Sequence, residues 1–292
     1  MSTSKRYWQE QFITTNGINL HYVTQGQGPL MLMLHGFPEF WYSWRYQIPE
    51  FAQDYRVVAL DLRGYNKSDK PQNLEAYKIQ ELVQDIEGVI RGLGYENCVL
   101  VGHDWGGAIA WNFAYAYPSM VKQLIVMNLP HPAKFMEGLR TPQQLLKSWY
   151  IFFFQLPLLP EWLLQWNNYQ LIANSFMDMA IDKSAFSQAD LEAYREAASQ
   201  PGALTAMLNY YRNTIQGLFI NPQQEWEMLE VPTLMIWGEN DTALGKELTY
   251  GTEAHVKNLQ IKYIPNCSHW VQQEQPQLVN QYMREFLGRL SE

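Results

Sequence analysis

A chain of 292 residues, 47% apolar and 17% charged, can form one large folded domain carrying an inserted element, or at most two domains, and is too apolar to stay disordered. Its formal net charge of −8, from 21 basic and 29 acidic residues with no basic cluster, argues against a nucleic-acid partner, because phosphate binding needs concentrated Lys and Arg. The two cysteines, Cys98 and Cys267, form no C-x-x-C pair, which rules out a cysteine metal site and speaks against a disulfide framework; Cys98 reads as a buried small residue.

Residues 1–12 lack an apolar core segment, so no signal peptide is expected. Ile13 to Thr15 and Ile18 to Val23 flank Asn16-Gly17, a hairpin signal. Leu30 to Leu34 is a continuous apolar run ending in His35-Gly36, and Arg56 to Leu60 is another, ending in Asp61-Leu-Arg-Gly64. Ile79 to Leu93 has helical spacing, with Leu82, Ile86, Val89, Ile90 and Leu93 on one face. Val99 to Val101, Leu124 to Met127, Thr233 to Trp237 and Gln260 to Ile264 complete the strand-like runs. Short apolar runs separated by helices predict an α/β fold, a mostly parallel central sheet covered on both faces.

Pro130-His131-Pro132 breaks the alternation, and from there to about Trp226 the chain is helical, aromatic and Met-rich. The expected division is a core of residues 1–130 and 227–292 with a helical cap, residues 131–226, over the carboxyl ends of the strands. His131 reads as a hinge of that cap. The longest apolar stretch, Trp149 to Leu164, is interrupted by Gln155, Pro157, Pro160 and Glu161 and is too short to span a bilayer, so the chain reads as soluble and cytoplasmic.

In a parallel sheet ligands bind beyond the carboxyl ends of the strands, where His35, Asp61, Asp104, Asn128, Asp241 and His269 all fall. Val99-Leu-Val-Gly-His-Asp104-Trp-Gly-Gly107 has the form of a strand, a sharp G-x-Nuc-x-G turn and a helix start, with Asp104 in the place of a nucleophilic serine. His269 follows the last strand. Asp241, in Trp237-Gly-Glu-Asn-Asp241, follows the strand before it and can orient the imidazole; Glu239 is the local alternative. A carboxylate nucleophile attacks an sp³ carbon and leaves an ester, which histidine-activated water then hydrolyses. The expected oxyanion donors are the backbone N–H groups of Phe37 and Trp105.

His35-Gly-Phe-Pro-Glu-Phe-Trp-Tyr-Ser-Trp-Arg45, Asp61-Leu-Arg-Gly-Tyr65, Gly102-His-Asp-Trp-Gly-Gly107 and Ser268-His269-Trp270 resemble the epoxide hydrolases of the α/β-hydrolase fold, a likeness running from about residue 10 to the end. The resemblance implies conversion of epoxides to vicinal diols, with no metal or organic cofactor, and the aromatic cap points to lipophilic epoxides. It also implies two cap tyrosines that bind the epoxide oxygen and protonate the departing alkoxide. Tyr150 resembles the first and Tyr211 the second, with Tyr210 as the neighbour most easily mistaken for it. Trp105, Trp149, Phe152 and Pro38 are expected to contact the substrate. Pro38 and Glu39 shape the loop over the site, where Glu39 could help orient water; His103 reads as a packing or hydrogen-bonding residue.

Haloalkane dehalogenases share the Asp nucleophile and are the alternative. Many of them place Asn after His-Gly to bind halide, where this chain has Phe37. Fluoroacetate dehalogenases carry Arg one and four residues after the nucleophile; here those positions are Trp105 and Ala108, which disfavours a small anionic substrate. A ligand receptor without catalysis is the reading from another class, and it is opposed by the filled catalytic positions.

Overall fold

The computed structural model describes residues 8–220 and 226–288. Residues 1–7 and 221–225, on which the signal-peptide and cap-boundary expectations partly rest, lie outside them. Asn16 and Gly17 both take positive φ, 47° and 73°, as a tight two-residue hairpin turn demands. They join β1 (Gln9–Thr15) to β2 (Ile18–Gln25) in antiparallel register, Thr15 opposite Ile18. β3 (Leu30–Leu34) and β4 (Arg56–Leu60), with α1 (Gln47–Phe51) between them, have the bounds of their apolar runs; β3 is buried throughout because both of its faces are covered.

α2 (Ile79–Gly92) buries Leu82, Ile86, Val89 and Ile90 on one face, and β5 (Cys98–His103) turns directly into α3 (Trp105–Ala116). After β6 (Val121–Met127) come six helices with no strand between them: α4 (Pro132–Gly138), α5 (Pro142–Lys147), α6 (Trp149–Phe153), α7 (Leu159–Met179), α8 (Gln188–Ala198) and α9 (Ala203–Ile220). Helical geometry in α7 is interrupted at Trp166–Tyr169. β7 (Thr233–Gly238), β8 (Leu259–Ile264), α10 (Val271–Glu274) and α11 (Pro276–Gly288) complete the chain.

The strands form one eight-stranded sheet in the order β1-β2-β4-β3-β5-β6-β7-β8, antiparallel at β1-β2-β4 and parallel from β4 onward. β3, β5, β6, β7 and β8 therefore deliver their carboxyl ends to one edge, and the six-helix insertion leaves from the end of β6. Both cysteines are buried and unpaired, and burial raises the pKa of each thiol. Among the described residues, no helix is long and apolar enough to cross a membrane.

Candidate active site

Asp104 sits between β5 and α3 with φ 49° and ψ −120°, a backbone conformation that costs a non-glycine residue about 1–3 kcal/mol. The bend lifts its side chain off the sheet, and glycine is needed where the neighbouring loop passes it. A side chain at Gly36 would collide with Asp104 Cβ, and one at Gly106 with the backbone of Leu34. The loop after β3 thus lies against the carboxylate, and the Phe37 N–H donates to Asp104 Oδ1 at 2.8 Å. Trp105, the other expected donor, opens α3, but its N–H makes no hydrogen bond to this carboxylate in the resting geometry.

Asp104 Oδ2 lies 3.5 Å from His269 Nε2, beyond hydrogen-bond strength, while His269 Nδ1 meets Asp241 Oδ2 at 2.6 Å. Asp241 is held on every side. Its Oδ1 accepts the Ala243 and Leu244 N–H groups at 2.7 and 2.9 Å, and its Oδ2 accepts Asn128 Nδ2 at 2.7 Å. Asn128 closes the clamp by accepting the Gly238 N–H at 2.9 Å. Glu239, the alternative acid, pairs instead with Lys246 at a partly exposed position. Burial opposes the charge of Asp104, Asp241 and His269 alike but is outweighed. His269 is held well above the ordinary histidine pKa by Asp241 and Asp104, and both aspartates are held below the ordinary carboxylate value, chiefly by His269. The resting site is an anion–cation–anion array.

A cavity of about 1320 Å³ opens over Asp104 and Trp105, and Tyr150, Ile151 and Tyr211 from the insertion line it. The two tyrosine rings stand 5.9 Å apart and nearly perpendicular, with Tyr211 also edge-on to Phe37 and Trp105. Burial, with the Asp104 charge next, raises both phenol pKa values, so each hydroxyl keeps its proton. Tyr210 points elsewhere: it is fully buried and its hydroxyl donates to the Arg63 carbonyl at 2.6 Å.

Three expected substrate contacts need correction. Trp149 and Phe152 are 63% and 47% exposed and do not line the cavity. Three residues apart, they share the outer face of α6, while Tyr150, Ile151 and Phe154 turn inward. Pro38 is buried in the loop after β3 and also misses the cavity. Glu39, expected to shape this loop, has its carboxylate engaged by protein groups. It is fully buried and accepts the Gly36 N–H at 3.0 Å, Gln272 at 3.0 Å and Gln273 at 2.8 Å, and it meets His103 Nδ1 at 2.8 Å. His103 Nε2 in turn reaches the His269 carbonyl at 2.8 Å. One carboxylate thus joins the Phe37 loop, the residue before Asp104 and the His269 loop.

The insertion is fastened to the same loops. Gln144 bonds the Ala243 carbonyl and the Gly245 N–H, and Lys147 bonds the Asp241 carbonyl. Glu274 accepts Ser268 on one side and the Ile181 and Asp182 N–H groups on the other. No local pattern announced the Glu39, Asn128 or Glu274 contacts. His131, the expected hinge, caps α4 and bonds Tyr115 at 2.8 Å.

An aspartate on a strand–elbow–helix turn after β5, with a hydrogen-bonded aspartate and histidine after β7 and β8, is the arrangement of a hydrolase site on this fold. Residues 29–276 match the α/β-hydrolase fold family, to which the chain belongs. Within it the chain belongs with the epoxide hydrolases. It is 47% identical to human epoxide hydrolase 4 over 283 residues, 94% of this chain and 77% of that protein. A crystal structure of a mutant epoxide hydrolase from Bacillus megaterium superposes with a TM-score of 0.90 at 43% identity, covering 95% of this chain and all of the other. A second mutant of that enzyme, complexed with its naphthyloxy-propane diol product, gives the same TM-score at 42% identity.

Proposed function

We propose that the protein converts lipophilic epoxides to vicinal diols through an ester on Asp104. The observation that carries this reading is the meeting of Asp104, Tyr150 and Tyr211 in one largely apolar cavity. Oδ1 is engaged by the Phe37 N–H, which leaves Oδ2 as the attacking oxygen. As Oδ2 bonds a ring carbon and the C–O bond breaks, the ring oxygen takes a proton from a tyrosine, and the His269 proton replaces it. An ester, an alcohol and a neutral His269 result.

Esterification removes one of the two anions that raise the His269 pKa, so the histidine becomes a base at the step that needs one. It takes a proton from water as the water oxygen adds to the ester carbon. Oδ1 becomes the oxyanion facing the Phe37 N–H, joined by the Trp105 N–H as the expected second donor. Collapse breaks the bond to the diol oxygen, which leaves with the carboxyl proton, and both the carboxylate and the protonated His269 are restored. Asp241 keeps the imidazole oriented throughout.

The apolar cavity and the relative's naphthyloxy-propane diol support an aryl- or alkyl-bearing substrate. The test is a single turnover in oxygen-18 water, with styrene oxide and a bromoalkane offered in parallel. The first diol should carry unlabelled oxygen from Asp104, with little halide released. Full label in that first diol would mean direct attack by water, and halide release exceeding diol formation would favour the dehalogenase reading.

A further inference from the structure

The insertion carries an apolar surface that the proposed reaction does not use. Of fourteen large apolar side chains exposed among the described residues, ten lie between Leu145 and Leu171. The most prominent are Leu158 and Leu146, 79% and 76% exposed, with Trp149, Trp162 and Trp166 each more than half exposed. From Thr141 to Met177 the sequence has two charged residues only, Lys147 and Glu161, and neither is free. Lys147 donates to the Asp241 carbonyl at 3.1 Å, and Glu161 is buried against Arg212 at 2.8 Å. A protein of net charge −8 thus carries a long exposed apolar segment that contributes no free charge of either sign. Concentrated exposed apolar surface marks a docking site.

The composition indicates what docks there. Tryptophan is enriched where a protein meets the boundary of a bilayer, since its ring suits the zone between headgroups and chains. Leu146 and Leu158 project furthest, on α5 and on the α6–α7 turn, each beside a less exposed leucine. A fluid lipid phase accommodates such separate projections, whereas a protein partner must match each with a pocket. The helix that bears Trp149 and Phe152 outward also carries Tyr150 and Ile151, which line the cavity on its inner side. We propose that the α5–α7 face docks on the surface of a lipid bilayer, held by apolar burial rather than by attraction to anionic headgroups.

The test is flotation of the full chain with vesicles of phosphatidylcholine, alone or mixed with phosphatidylserine, at low and high salt. Sedimentation velocity without lipid accompanies it. Wild type should float with phosphatidylcholine alone, equally at both salt concentrations, and less well with phosphatidylserine because the protein is acidic. The double variant Leu146→Asp/Leu158→Asp should lose partitioning on the order of a hundredfold, the effect of removing two leucines from an apolar phase. Its turnover of a water-soluble epoxide should be unchanged, which also shows that it folds. Quenching of wild-type tryptophan fluorescence by brominated lipid gives a readout without any variant. Wild type failing to bind phosphatidylcholine, binding only in the presence of phosphatidylserine, or floating no better than the variant would each overturn the proposal. So would a lipid-free dimer that the double variant dissociates, since the face would then belong to a second copy of the chain.

Discussion

Tyr210 and Tyr211 are adjacent in sequence and, on the proposed mechanism, opposite in role, so removing one hydroxyl from each should separate stability from catalysis. Tyr210→Phe deletes a fully buried hydrogen bond to the Arg63 carbonyl. An acceptor left unsatisfied in the interior costs about 1–3 kcal/mol. At roughly 2–4 °C per kcal/mol for a large domain, thermal unfolding should shift down by several degrees. Ester formation should stay close to wild type. Tyr211→Phe should do the reverse, leaving the melting temperature nearly unchanged and slowing ring opening. Tyr150→Phe should resemble it, because either phenol can serve the same oxygen. In the double variant Tyr150→Phe/Tyr211→Phe, both donors are gone and the loss should approach the roughly 10²–10⁴ that general-acid assistance supplies, more than the two single effects added as free energies. Single-turnover quenched flow gives the rate of ester formation, and differential scanning fluorimetry gives the stability. A double variant that forms the ester as fast as wild type would refute the assignment, as would Tyr210→Phe slowing that step as much as Tyr211→Phe.

His269→Gln should let ester form and block its hydrolysis, so intact mass should rise by the substrate mass on the peptide containing Asp104. An enzyme free of adduct after exposure to a good substrate would make the His269 proton essential to ring opening itself, rather than only a replacement for the proton the tyrosine gives up. Because the Asp104 pKa is lowered and those of His269, Tyr150 and Tyr211 are raised, ester formation should be nearly flat across neutral pH. Ester hydrolysis should instead speed up as pH rises through the reduced His269 pKa of the esterified state, and pre-steady-state rates that fall with pH would contradict this. Asn128→Ala should leave the Gly238 N–H unpaired and remove one donor from Asp241, costing about 1–3 kcal/mol by thermal or urea unfolding. An unchanged midpoint would show that the clamp carries no load.

The strands were legible because each is a short apolar run cut off by a turn. β3 and β4 have the bounds of those runs, and β5 gained only Cys98 at one end and Gly102-His103 at the other. Asp104, Asp241 and His269 could be read for the same reason, since each follows such a strand. What could not be read was the wiring between distant segments. Glu39 meets partners 64, 233 and 234 positions away, and no local pattern records such distances. The outward turn of Trp149 and Phe152 was a different failure. Their spacing of three already placed them on one side of a helix, but with aromatic residues at five of the six positions from 149 to 154 hydrophobicity alone could not tell the inner side from the outer.

Gln144, Lys147 and Glu274 fasten the helical insertion to the loops of Asp241 and His269 at two separate points. The cavity-lining helices and the two loops that carry Asp241 and His269 are therefore fitted to each other. Transplanting residues 132–220 from a relative into this core would mismatch the contacts to residues 241–245 and 268–274, and a chimera of that kind must exchange those short loops along with the helices. The unit that can be recombined is the insertion with its two attachment loops, which cuts across the boundary drawn by chain order.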